Sequence, residues 1–112
     1  MQDEIEAIES GYEFLLAYAA QGRETDEGPG GSEARKTLTS MREAAAAIAV
    51  KLAGDAGDFS AVVVEDAGKS GAAMSLVLAQ DKISSELVDN LNASIHLRAL
   101  LTDLFLLGET SG

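Results

Sequence analysis

Over residues 2–21 apolar side chains recur every three or four positions, at Ile5, Ile8, Tyr12, Leu15, Leu16 and Ala19, while Glu6, Glu9 and Glu13 fall on another side. That spacing matches the 3.6-residue turn of an α-helix with one face against a core, so it predicts an amphipathic helix. Gly11 lies inside it at a cost of about 1 kcal/mol relative to Ala, and its bare backbone gives a second helix room to cross closely. The pattern stops at GRETDEGPGG, whose Gly, Pro and charged residues have little to bury. An exposed, flexible loop is expected at about 22–32, long enough for two helices to fold back on one another.

A second stripe follows Ser32, a suitable N-cap, with Leu38, Met41, Ala45, Ile48 and Leu52 at alternating steps of three and four before a stop at Gly54. This is the spacing of a coiled-coil seam. Ala44 to Ala47 add a smooth surface that a helix of the same chain, or of a second copy, can approach closely.

Residues 55–80 carry two patterns at once. Three consecutive valines and the alternation Met74, Leu76, Leu78 predict strands at 61–65 and 73–79, joined by a turn around Ala67-Gly68-Lys69-Ser70-Gly71. The alternative makes the later segment helical, since Ala72, Ala73, Met74 and Leu76 are acceptable helix formers. In the last stretch, Ile83 and Val88 flank a Ser84 N-cap as a hydrophobic staple, and Leu87, Leu91, Ile95, Leu101, Leu104 and Phe105 continue a helical stripe to Gly108. Leu97, Leu100, Leu106 and Leu107 widen its apolar arc beyond what so short a chain is expected to cover alone.

The fold class expected is α+β and predominantly helical: two N-terminal amphipathic helices, a short β-hairpin and a long C-terminal helix in one small domain, 1–112. An all-α helical bundle is the alternative. Composition fits closely packed helices, because 46% of the residues are hydrophobic but only 4% aromatic, leaving Ala, Leu, Ile and Val to build the core.

Charge narrows the partners. With 19 acidic against 8 basic side chains the formal net charge is −11, which repels nucleic acid and anionic lipid and leaves basic protein surfaces and cations as candidates. The start MQDEIEAIE is acidic where a signal peptide is basic, and no apolar run approaches the roughly 20 residues that span a bilayer. The cytoplasm is the default location. Without cysteine, disulfides, thiolate chemistry and sulfur-ligated zinc are absent.

Gly68-Lys69-Ser70 ends like a phosphate-binding loop, but such a loop needs a glycine five residues earlier to curl its amides inward, and Val63 stands there. Glu65 and Asp66 would also set negative charge against the phosphates. His96, the single histidine, shares a helical stretch with Asp89, Asn92 and Asp103. In this it resembles histidine-phosphotransfer domains, helical bundles in which a histidine carries a phosphoryl group, which implies docking of a kinase or receiver domain. Their motif follows the histidine with a lysine and then a small glycine; here Leu100 stands where the small residue belongs. One histidine cannot supply the two Glu-x-x-His pairs of a di-iron bundle, and Glu6, Glu9 and Glu13 read as a solvated face. No Gly-x-Ser-x-Gly nucleophile stretch is present.

The expectation is a non-catalytic interaction or accessory protein with no metal and no cofactor. It would assemble with itself or another protein through Leu38, Met41, Ala45, Ile48, Leu97, Leu101, Leu104 and Phe105. The alternative is a signalling or small-ligand module that uses His96 or Lys69.

Overall fold

The computed structural model describes residues 1–110, which form α1 (Gln2–Ala19), α2 (Ser32–Leu52), α3 (Asp58–Leu78), α4 (Ser85–Ala93) and α5 (His96–Thr110). Among the described residues there is no strand. The β-hairpin expected over 61–79 is therefore corrected to one continuous helix, and the all-α alternative holds.

The reason lies in which side of α3 is buried. Ser60, Val63, Ala67, Ser70, Met74 and Val77 face inward at steps of three and four. Half of that stripe is Ser or Ala, so it carries a weak hydrophobic signal. Leu76 and Val62, which suggested strands, are 68% and 43% exposed. Gly68 and Gly71 lie off the stripe with open space around their α-carbons. Packing of the stripe outweighs their poor helix propensity.

The helices occupy four corners. α2 packs on α1 and α3, α4 packs mainly on α1, and α5 mainly on α3. α1 and α3 are diagonal, their backbones lying apart, as do those of α2 and the α4/α5 pair. The long C-terminal helix expected from Ser84 onward is thus two helices that share one corner. Ser84 does cap α4, its hydroxyl accepting the Leu87 amide at 3.0 Å, and the staple residues Ile83 and Val88 are fully buried. The break follows at Ser94 and Ile95, where Ile95 adopts φ +68°, a left-handed conformation that strains a β-branched residue.

The α1 core face runs through Ile8, Gly11, Leu15 and Tyr18; Leu16, assigned to it from spacing, is 48% exposed. α2 begins as expected at Ser32, but Gly31 takes the cap position and no side chain caps the helix.

A polar clasp closes the end of the bundle where the 20–31 and 79–84 connections meet. The Asp26 carboxylate accepts the Ile83 amide at 2.9 Å and the Arg35 guanidinium at 2.7 Å. Arg35 donates further to the carbonyls of Leu78, Gln80 and Asp81. The buried Tyr18 hydroxyl donates to the Ile83 carbonyl at 2.6 Å, and Ser85 donates to the Tyr18 carbonyl at 2.7 Å while accepting the Arg23 amide at 2.8 Å. The tip Gly28-Pro29-Gly30 stays exposed, but these bonds anchor the loop at 22–32 from both sides. No helix is long and apolar enough to cross a membrane among the described residues.

Candidate functional site

Seven of the eight residues expected to form an interaction surface lie inside the chain's own core. Leu38, Met41, Ala45 and Ile48 are fully buried, and Leu97, Leu101 and Leu104 nearly so. The α2 seam is filled by α1 and α3, and the leucines of α5 by α3 and its neighbours. The structure places these residues in the core of a single copy, where the four corners of the bundle enclose them. Phe105 alone among the eight remains at the surface, 53% exposed.

The two residues singled out for chemistry are not brought together with partners that could use them. Lys69 sits in the interior of α3, where a helical backbone cannot wrap a phosphate, and pairs with Glu65 at 3.1 Å one turn earlier. His96 opens α5 with its side chain exposed. The nearby Ser70 hydroxyl donates at 2.9 Å to the His96 backbone carbonyl, so it is not a nucleophile activated by the ring. Among the described residues no three His, Cys, Asp or Glu side chains converge on a point that could hold a metal ion.

What the surface does offer is a groove between α1 and α5, lined by Gln2, Ile5, Glu9, Leu104, Phe105, Gly108 and Glu109. Ile5, half-buried, and the buried Leu104 give it an apolar floor, Phe105 a raised wall, and Glu9 and Glu109 an acidic rim. α1 carries Asp3, Glu4, Glu6, Glu9 and Glu13 and no Lys or Arg. Glu6, Glu9 and Glu13 surround an adjoining depression with Ser10, which continues the negative charge along the helix. Glu4 is set apart, its carboxyl held below the ordinary carboxylate value by the hydrogen bond from Lys51.

A second polar feature was missed from the sequence. Asp103, on the inward side of α5, is only 7% exposed and meets Asp66 of α3. Its Oδ2 atom is sealed from solvent with no hydrogen-bond partner. Burial first, and then the hydrogen bond and charge of Asp66, push the Asp103 carboxyl up to about 7. An Asp flanked in the chain by Leu100, Leu101 and Leu104 was the available signal, because a carboxylate on an apolar helical stripe must find a partner.

No protein-family model, no curated protein and no solved structure matches this chain. What the chain does has to be argued from these surfaces.

Proposed function

We propose that the chain is a non-catalytic protein-interaction domain whose α1/α5 groove receives a basic segment of another protein, anchored by an apolar side chain against Phe105. One observation carries this reading: a large aromatic ring more than half exposed beside Ile5 and two glutamates, the one ring among the exposed large hydrophobic side chains of the described residues. Exposed aromatic rings supply much apolar area at low entropic cost, and they dominate binding where they meet a pocket. The rim sets the sign of the partner, since Glu9, Glu109 and the remaining acids of α1 favour Lys and Arg. Self-association has lost its support, because the leucines that called for it are enclosed and two copies each of net charge −11 repel.

Fluorescence anisotropy with two labelled amphipathic helical peptides, one of Leu and Lys and one of Leu and Glu, tests this. The Lys peptide should bind and the Glu peptide should not. Phe105→Asp, a surface change that leaves the core intact, should weaken binding about tenfold or more, and Glu9→Gln with Glu109→Gln should reduce its salt dependence. Binding of the Lys peptide that ignores Phe105→Asp would reduce the effect to general charge attraction and sink the proposal. A dimer in light scattering that Phe105→Asp dissolves would put a second copy in the groove instead.

A further inference from the structure

Asp66 and Asp103 stand on different helices, α3 and α5, and their side chains come within hydrogen-bonding reach across the interface that holds these helices together. Neither joins an ion pair among the described residues. Two carboxylates in such a place cannot both be ionised without a large penalty, because loss of water and mutual repulsion act in the same direction. We propose that the pair is a proton-binding site, which holds one proton between the two carboxyls as a latch joining α5 to α3.

The geometry supports a proton rather than a larger cation. Asp103 Oδ2 is closed to solvent, so a metal ion or a partner's lysine has no path to it, and no third acidic or histidine ligand is at hand. A shared proton joins the buried Asp103 carboxyl to Asp66, and an O–H···O⁻ bond is among the stronger ones available to side chains.

The surrounding charges leave the pair to itself. Asp66 is the charged group whose field bears on Asp103. Further along the same side of α3 stands Ser70, neutral and committed to the His96 carbonyl. The nearest α3 cation, Lys69, is exposed and paired with Glu65. On α5, His96 and Arg98 lie in the first turn with exposed side chains. α1 contributes Glu9 to the neighbouring groove around Phe105, and the α4 acids Glu86 and Asp89 are exposed around a different groove, between α1 and α4.

The direction of the pH effect follows from where the proton is held. The folded chain binds it at about 7, far above the ordinary value of 3.8, so the folded state holds more protons than the unfolded one between those limits. Stability from the latch is complete below the unfolded value, falls as pH rises, and is gone once pH passes the folded value. Asp103 lies two positions before Phe105, so the latch fixes the helix that carries the proposed binding wall, although it stands whether or not that wall binds anything.

Carbon-13 NMR of the Asp side-chain carboxyls, titrated from about pH 3 to 9, tests the site in the unmodified chain, and thermal unfolding over the same range tests its consequence. One carboxyl of the pair should titrate near neutrality. The melting temperature should fall as pH rises toward 8, and the fall should be at most about half as steep in Asp66→Asn and in Asp103→Asn, where an amide donor replaces the proton. Asp66→Asn alters the half-buried partner and suffices should Asp103→Asn fail to fold. If both carboxyls titrate below pH 5, or if the three chains lose stability in parallel through their shared negative charge, the latch is overturned.

Discussion

Gly11 and Met41 mark the crossing of α1 and α2: a methyl group built on the Gly11 α-carbon would meet Met41 Cγ and Sδ at 2.5 Å. The close approach expected at this glycine is thus realised, and its partner is a methionine with no exposed surface. Met41 is flexible but enclosed, so it has little room to move aside. Gly11→Ala is expected to cost about 1–3 kcal/mol in urea denaturation through overpacking. In a Met41→Ala background the blocking atoms are gone, and the same change should cost less by about 1–2 kcal/mol. Equal costs in the two backgrounds would mean that the crossing is set elsewhere.

Gly68 and Gly71 behave in the opposite way. Both sit in the interior of α3, and an added β-carbon would meet nothing within 4 Å. Gly68→Ala and Gly71→Ala should each stabilise the chain by about 0.5–1 kcal/mol, from better helix propensity and a less disordered unfolded chain. Thermal unfolding reads this directly. A loss of stability from both would mean that the segment turns there, as the hairpin required.

The Asp26 clasp has a pH signature of the reverse sign to the carboxyl pair. Burial tends to raise its carboxyl, but the Ile83 amide and the Arg35 guanidinium outweigh it and hold the group below its ordinary value of 3.8. The resulting stability is present above the unfolded value and is lost as pH falls through the lower, folded one. Asp26→Asn should cost about 1.5–3 kcal/mol at pH 7, the range for hydrogen bonds to charged groups. The gap between variant and parent should narrow below about pH 4. A gap that stays constant to pH 2 would show that the charge of Asp26 contributes nothing.

Most of the helices were legible where large apolar residues lie on the buried stripe. Leu38, Met41, Ala45 and Ile48 gave α2 its buried face, Ser32 and Leu52 its bounds, and Ser84 gave the start of α4. α3 was not legible, because its inward stripe runs through Ser60, Ala67 and Ser70 while Val62 and Leu76 decorate the outside. The stop at Ser94 was hidden as well, since Ile95 fits the helical stripe and is an unfavourable residue for the left-handed turn it makes. Periodicity identified core faces but could not say whose surface covers them, and so the leucines of α5 suggested a second chain when α3 was their cover. Phe105 was named in advance; Glu9 and Glu109 joined it only once α1 and α5 were seen side by side, and Asp66 found Asp103 in the same way.

The turn at Ser94 and Ile95 also divides the mechanics of the fourth corner. Helical hydrogen bonding is interrupted there, with Ser94 bonding back to Leu91 and Ala99 bonding to Ile95, so α4 and α5 are separate levers rather than one rod. α4 is riveted to α1 through Tyr18, Ser85 and Ile83, whereas α5 leans on α3 through Ser70, Asp66 and Asp103. A tilt imposed on the lever bearing Phe105 therefore reaches the clasp at the far end through α3 and α1, whose ends Leu78 and Tyr18 bond into it, and not along a single rod through α4.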